Sequence, residues 1–164
     1  MKKLQLLLLT LLIPFLGYTQ INTFPWVHDF DNGVGLTNWT TNDDGDWLIW
    51  SGSTPSFNTG PEEDHTTGSG NYWYVEASSP NYPYMYFISQ IDTFDISQTP
   101  GQILSFWYHM YGVGMGELNI WLGDDNGWNK IDDIIGDQGE EWLLKYIELD
   151  SLGIVGNFSI VFEG

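Results

Sequence analysis

The carboxylates are the side chains of this sequence whose type and spacing could bind a metal ion. Asp29 and Asp31 are separated by one residue, so on a β-strand both would project from the same face. Carboxylates, with backbone carbonyls and water, are the oxygen ligands that Ca²⁺ takes in proteins. The acidic segments 42–46 and 124–127 lack the ligand order and the distal glutamate of a calcium loop, so they predict hairpin turns.

Arrangements that would support catalysis are missing from the sequence. The histidines, His28, His65 and His109, have no zinc-binding spacing, and there is no cysteine. No Gly-x-Ser-x-Gly motif presents a nucleophile. Glu76 and Glu117 are the pair that a glycosidase would use, but no strand motif places them across a cleft. We therefore predict that the protein is not an enzyme and has no organic cofactor.

The chain is strongly acidic. Its net charge of −18 comes from 22 acidic residues against four basic ones, all of them lysine. Such a surface repels phosphate backbones and anionic lipids, which excludes nucleic acid and a membrane surface as expected partners. It attracts cations, although a role in solubility explains the same charge equally well.

Short β-strands are the elements that must position these side chains. After Thr23, apolar and alternating runs separated by Gly, Asn, Asp, Pro and Ser recur at intervals of about ten residues. This spacing, with 16% aromatic residues, is typical of an antiparallel β-sandwich or barrel. The predicted strands are 47–50, 72–76, 85–90, 103–110, 117–122, 142–149 and 158–162. The long polar stretch 51–70 is expected to be an ordered loop.

The nine tryptophans outnumber what one small core needs. Most are expected to fill the sandwich, including Trp73 and Trp107, which lie in predicted strands. Trp128 follows Asn126 and Gly127 at a predicted turn, where a flat exposed ring would stack on the face of a sugar. The sequence therefore leaves open a carbohydrate-binding module, with Trp128 as the ligand contact, beside a protein-binding one.

The N-terminus has the features of a secretory signal. Lys2 and Lys3 precede an apolar run at 4–16, which is too short for a transmembrane helix. No other segment is apolar enough to span a bilayer. We therefore expect residues 1–20 to be a signal peptide and residues 21–164 to be one domain, exported and then secreted or held at the cell surface.

The long loop and the segments around it carry the most distinctive residues. The matching runs are DFD at 29–31, TPSFNTGP at 54–61, DHT at 64–66, GSG at 68–70, YVEASSP at 74–80, LSFWYHMYG at 104–112, MGEL at 115–118 and IVFEG at 160–164, with Trp39 and Trp142. In this order and spacing they resemble the MAM domain, the module shared by meprins, neuropilins and mu-type receptor tyrosine phosphatases. The resemblance covers essentially the whole mature chain.

The resemblance implies an all-β fold, a concanavalin-like jelly-roll sandwich of two antiparallel sheets. It also implies a non-catalytic extracellular module for adhesion, through a protein partner or self-association at the cell surface. Members of the family bind an ion near the segments that hold Asp31 and Asp64. These two are therefore the expected side-chain ligands of one Ca²⁺ or Na⁺ ion, with Asp29 and the Thr66 backbone as weaker candidates. The alternative is that Asp29 and Asp64 only cap turns.

Two departures from the family pattern matter. His28, Thr37 and Ile103 stand where family members commonly carry cysteines, so no disulfide is expected. The family usually continues past the position of Gly164 into a final acidic strand, so the domain at 21–164 is expected to lack its last strand. Two other functions stay open, a carbohydrate-binding accessory module of an exported enzyme and a structural spacer.

Overall fold

The computed structural model describes residues 20–31, 36–38, 44–81 and 85–164. The predicted signal peptide lies outside these residues except for Gln20, and Trp39 and the start of the predicted turn at 42–46 lie outside them too. The described part of the chain contains nine strands and one turn of 3₁₀ helix at Leu149–Leu152. The strands are β1 Leu36–Asn38, β2 Leu48–Ser51, β3 Asn71–Tyr74, β4 Ile88–Asp95, β5 Ile103–Tyr108, β6 Glu117–Asp124, β7 Gly127–Ile135, β8 Leu143–Glu148 and β9 Asn157–Glu163.

The strands form two layers, and every pair of neighbouring strands is antiparallel. One layer is a five-stranded sheet in the order β1-β4-β9-β6-β7. The other layer consists of two separate ladders, β2-β3 and β5-β8, which pack against the first through the rings of Trp73 and Phe106 on Phe162. The predicted all-β sandwich is confirmed, and its second sheet is split in two.

The core lies between the two layers, on the inner face of β4, β6 and β9. Ile120 and Ile160 are the large side chains most completely removed from water, and both come from the middle of the five-stranded sheet. From the other layer, Leu104, Phe106 and Tyr108 of β5 pack inward at every second position. Burial of this apolar surface, in a chain with no cysteine, supplies the main stabilisation of the fold.

All seven predicted strands are present with shifted ends, and two strands were not predicted. The run at 85–90 becomes β4, which begins at Ile88 and continues to Asp95. The short β1 and the long edge strand β7 have no counterpart in the predicted set. The predicted turn at 124–127 is confirmed as the hairpin between β6 and β7, where the Asn126 amide donates to Asp124 Oδ1 at 2.8 Å.

Candidate functional site

One buried carboxylate organises the long loop before β3. Asp64 is 6% exposed, and its Oδ1 accepts hydrogen bonds from the Gly70 amide at 2.6 Å and the Thr67 hydroxyl at 3.0 Å. Its Oδ2 accepts from the amides of Thr66 and Thr67 at 3.0 and 2.8 Å. Burial alone would raise the pKa of Asp64, but these hydrogen bonds outweigh it and lower the pKa to about 2. The carboxylate is therefore ionised at neutral pH and holds the loop in shape.

Asp31 lies beside this loop. Its Oδ1 accepts a hydrogen bond from the Asn71 amide at 2.9 Å, and Asn71 directly follows Gly70, whose amide binds Asp64. Consecutive backbone amides thus bind the two carboxylates that the family resemblance implies as ion ligands. Thr66 lies in the same loop and donates its amide to Asp64.

The prediction that Asp29 and Asp31 project from one face of a strand is wrong, because this segment is not a strand. The Asp31 amide donates to Asp29 Oδ1 at 3.1 Å, and Phe30 between them has a φ of 63°, in the left-handed region. An aspartate side chain that accepts from the amide two residues on closes a turn of its own and so competes with strand pairing. Asp29 therefore caps a turn here.

The carboxylates at this junction do not form a crowded acidic cluster. Within the ranges that the structure describes, no group of three or more His, Cys, Asp or Glu side chains is placed to hold a metal ion. The loop already uses both oxygens of Asp64. A cation bound to Asp31 and Asp64 would therefore need backbone carbonyls and water to complete its coordination.

The loop contacts β5 through two stacked aromatic side chains. The rings of His65 and Trp107 are 3.6 Å apart between centroids and tilted by 15°. Trp107 is 43% exposed, so the prediction that it is buried is wrong. Because Leu104, Phe106 and Tyr108 face the core, strand alternation puts Trp107 on the opposite side of β5. Trp73, also predicted to be buried, is half-buried against Phe162.

The side of the β5-β8 ladder that faces away from the core forms one continuous surface, which we call the outer face. Cross-strand pairing sets Ser105 opposite Tyr146 and Trp107 opposite Leu144. Tyr146 is 63% exposed, and Ile103 at the start of β5 is also exposed. Sequence reasoning did not predict that Ile103 and Tyr146 are exposed on one face, although the alternation in 103–110 and 142–149 contains the signal. A group of exposed large apolar side chains marks an interaction surface.

Trp128 is exposed, as the sequence predicts, but it belongs to β7 rather than to the turn itself. It pairs with Gly123 of β6, and its ring covers that glycine. A Cβ atom at position 123 would lie 2.7 Å from the ring carbons, so the glycine is what allows the indole to lie flat on the sheet. The ring keeps an exposed side, which is the geometry required for stacking on a ligand.

A groove of about 1880 Å³ lies in the split layer, lined also by residues 24–31 and by parts of the long loop. Every residue of β3 and of β5 lines it, whereas no residue of β2 and only Leu144 of β8 do. The groove therefore runs between β3 and β5. Its lining includes buried side chains of the five-stranded sheet, such as Leu118 and Phe162. Sequence reasoning did not predict this groove, since it depends on how distant strands pair.

A family model described as "MAM domain, meprin/A5/mu" matches residues 28–164 of the chain. This chain belongs to the MAM family. The predicted resemblance is confirmed over the sandwich, the Asp64 loop and the outer face, which all lie within the matched residues. MAM domains are extracellular adhesion-type modules in neuropilin and related proteins.

Individual proteins are also similar in sequence to this MAM domain. It is 37% identical over 124 residues to thyroid hormone-induced protein B of Xenopus laevis, covering 73% of this chain and 17% of that protein. It is 34% identical over 125 residues to neuropilin-1a of Danio rerio, covering 73% and 13%. It is 27% identical over 150 residues to MAM domain-containing glycosylphosphatidylinositol anchor protein 2 of Homo sapiens, covering 82% and 15%. The chain thus spans less than a fifth of each of these relatives.

The relatives of this MAM domain are extracellular or membrane-associated proteins. Among the residues that the structure describes, no helix has the length and apolar character required to cross a membrane.

Proposed function

We propose that this MAM domain is a non-catalytic recognition module, exported and then secreted or held at the cell surface, that binds a protein partner through its outer face. The single observation that carries the proposal is the exposure of Ile103, Trp107 and Tyr146 on one side of the β5-β8 ladder. Aromatic side chains are enriched among the residues that dominate binding energy in protein interfaces. The extracellular setting of neuropilin and related MAM proteins supports the proposed location.

The surroundings of Glu76, one of the two glutamates considered for glycoside hydrolysis, support a non-catalytic role. Glu76 accepts a hydrogen bond from the Tyr74 hydroxyl and another from the Ser78 amide at 2.8 Å. Burial raises the pKa of Tyr74, and the hydrogen bond to Glu76 adds to the effect, so this tyrosine stays neutral at any physiological pH. A carboxylate held in this way braces the end of β3 instead of donating a proton to a substrate.

The outer face is tested by a double substitution, Trp107→Ser with Tyr146→Ser. We expect the variant to bind a protein partner captured by the wild-type domain at least about 30-fold more weakly, because truncating even one aromatic anchor costs about 2 kcal/mol. Biolayer interferometry against that partner measures the loss. Val155→Ser is the matched control, since Val155 is exposed and lies outside this face. Equal binding by the double variant and the control would contradict the proposal.

Carbohydrate binding is the second candidate function, and the flat, exposed ring of Trp128 favours it. If it is correct, the wild-type domain binds a polysaccharide on a glycan array with a millimolar dissociation constant, and Trp128→Ala abolishes that binding. Trp107→Ala, which removes an exposed ring from the opposite layer, serves as the control. If the domain shows saturable binding to no glycan on the array, carbohydrate binding is ruled out.

We also propose that one Ca²⁺ or Na⁺ ion binds where Asp31 meets the Asp64 loop, with Asp29 and the Thr66 backbone nearby. The proposal is supported by the hydrogen bonds that tie Asp31 and Asp64 to consecutive amides. Calcium at 100 times its dissociation constant would add about 2.7 kcal/mol to the free energy of unfolding and raise the thermal midpoint. Melts with calcium and with chelator measure this shift. Asp31→Asn should remove it, whereas Asp125→Asn in the β6-β7 turn should not, and an unchanged midpoint in wild type would end the proposal.

A further inference from the structure

We propose that the side of the five-stranded sheet that faces away from the core binds a neutral sugar residue of a glycan, held between the ring of Trp128 and the carboxylate of Glu163. We call this side the back face, and it includes Asn119, Trp121 and Gly123 of β6 with their cross-strand neighbours in β7 and β9. The inference rests on carbohydrate binding, the second candidate function, and it names the class of sugar and the groups that bind it.

Strand pairing arranges the back face in three rows. Residues directly opposite each other in an antiparallel pair share one face of the sheet, and so do residues two apart along a strand. Ile120 and Leu122 of β6 belong to the core, so Trp121 between them faces the other way. Read across β9, β6 and β7, the rows are Glu163, Asn119 and Asp133, then Val161, Trp121 and Lys130, then Ser159, Gly123 and Trp128. The first row is polar, and the third row carries the exposed indole.

The third row supplies a flat aromatic surface. A Cβ atom built on Gly123 would lie 2.7 Å from three carbons of the Trp128 ring, so the six-membered part of the indole lies across the glycine. Trp128 is 45% exposed, so part of its ring is accessible to a ligand. Sugars carry C–H groups on the faces of their rings, and these groups pack against the electron-rich face of an aromatic ring. The sheet thus presents the ring in the orientation that a sugar requires.

A shallow cavity of about 110 Å³ connects the Trp128 ring with the polar row. Its lining is Ile88, Trp121, Trp128, Val161 and Glu163. Val161 lies on the back face and is nevertheless only 4% exposed, because its neighbours pack closely around it. Sites for drug-sized ligands have volumes of about 300–1,000 Å³. This smaller cavity therefore has room for part of a ligand, such as one sugar of a longer chain.

Hydrogen bonds in the polar row fix the carboxylate of Glu163. Lys130 Nζ donates to Asn119 Oδ1 at 3.3 Å and to Asp133 Oδ2 at 2.7 Å. Because an ammonium group can only donate, the Asn119 oxygen faces Lys130. The Asn119 NH₂ group then faces Glu163 and donates to its Oε1 at 3.0 Å. One oxygen of Glu163 is thus held in place, and its other oxygen, Oε2, can accept a hydrogen bond from a sugar hydroxyl.

The charge at the cavity selects a neutral sugar. Glu163 is the charged residue of the lining, and the positive charge of nearby Lys130 is paired with Asp133. A uronic acid or a sulfated sugar would bring a second negative charge close to Glu163, in a chain whose net charge is already −18. A neutral hexose avoids this repulsion and keeps the contact with the Trp128 ring.

The first test compares neutral and acidic forms of the same sugar chain. Titration calorimetry at low ionic strength measures the binding of β-1,4-linked hexamers of glucose, mannose and galactose, each beside its counterpart oxidised to a carboxylate at C6. We expect at least one neutral hexamer to bind and its acidic counterpart to bind at least about tenfold more weakly. If none of the neutral hexamers binds, the proposal is wrong, and equal affinity for the acidic counterparts would overturn it too.

Glu163→Gln tests whether this carboxylate sets the preference. Glutamine keeps an oxygen to which Asn119 can donate, but it carries no charge. We expect the affinity for the neutral hexamer to change less than about threefold, and the ratio of neutral to acidic affinity to fall below about threefold. Glu148→Gln, on the outer face, is the matched control and should keep the wild-type ratio. A ratio that is unchanged in Glu163→Gln would contradict the proposal.

A matched pair of glycine substitutions locates the sugar. Gly123→Ala places a methyl group 2.7 Å from the Trp128 ring and pushes the ring away, so it should weaken binding at least about fivefold. Gly116→Ala, where an added Cβ has no described neighbour within 4 Å, should not. Equal affinity in these two variants would place the sugar elsewhere.

Spectra of ¹⁵N-labelled indole groups give a readout on the wild-type domain, which does not depend on the folding of any variant. The signals of Trp121 and Trp128 should shift when the neutral hexamer is added, whereas that of Trp107 should stay. A shift of Trp107 alone would move the sugar to the outer face and overturn the proposal.

Failure of this proposal and failure of the proposed function give different results. If no glycan binds, carbohydrate binding is ruled out as well, while the outer face is still judged by protein binding of the Trp107→Ser and Tyr146→Ser double variant. If acidic glycans bind as well as neutral ones, carbohydrate binding stands and the assigned class of sugar is wrong.

Discussion

Replacing Ile120 with alanine is expected to lower the free energy of unfolding by about 3–4 kcal/mol. Ile120 is 0% exposed and lies in β6 at the middle of the five-stranded sheet, paired with Phe162 on one side and Asp132 on the other. Strands on both sides prevent the backbone from closing around the space that the substitution leaves, so the lost contacts are not recovered. Urea unfolding followed by tryptophan fluorescence measures the change through the transition midpoint.

Ile135 supplies the control for this experiment. It has the same side chain and lies on neighbouring β7, but it is 59% exposed. Ile135→Ala should change the free energy of unfolding by less than about 0.5 kcal/mol. A loss below about 1 kcal/mol for Ile120→Ala would mean that the centre of the sheet is not close-packed, which contradicts the fold described above.

The Asp64→Ala substitution is expected to cost about 3 kcal/mol in the free energy of unfolding. The change removes the acceptor for the amides of Thr66, Thr67 and Gly70 at the base of the long loop. Hydrogen bonds to a charged acceptor are worth more than neutral ones, and a buried amide left without an acceptor adds its desolvation cost. Asp125→Ala, in the β6-β7 turn, is the comparison, with an expected change below about 0.5 kcal/mol.

The lowered pKa of Asp64 gives this prediction a dependence on pH. The folded value of about 2 lies below the ordinary 3.8, so between these values the unfolded chain binds more protons. The contribution of Asp64 is therefore fully present above about pH 5 and is lost as the pH falls through the folded value. We expect this contribution to be about 1–2 kcal/mol.

The stability gap between wild type and Asp64→Asn should accordingly narrow by that amount between pH 6 and pH 2. Urea transitions at several pH values measure it, with Asp125→Asn compared in parallel. A gap that stays constant down to pH 2 would show that the carboxylate does not ionise in the way the hydrogen bonds require.

Strands with strict alternation and buried neighbours were predictable from sequence, and edge strands were not. In β6 the alternation of polar and apolar residues identified the strand before the structure did. In β7 the residues up to Lys130 are exposed, because the strand lies at the edge of the sheet. An edge strand buries too little to impose a strong pattern, so its sequence is close to that of a loop.

The candidate sites were also predicted only in part from the sequence. The resemblance to MAM domains identified Asp31 and Asp64, and the structure ties both to adjacent amides. The spacing of Asp29 and Asp31 suggested a strand, but a side chain that bonds to its own backbone made a turn instead. The groove was not predictable, since β3 and β5 lie about thirty residues apart and no local pattern reports which edges stay unpaired.

The placement of the two lysines has a consequence for proteolysis. Lys130 and Lys145 lie within β7 and β8, each in a 2.7 Å ion pair, and the chain contains no arginine. Proteases that cleave after basic residues require an extended stretch of chain free of strand pairing. In the described residues such an enzyme reaches its sites only after β7 or β8 has detached. Digestion with trypsin would therefore report local opening of these two strands, and the folded domain is suited to persist among such enzymes.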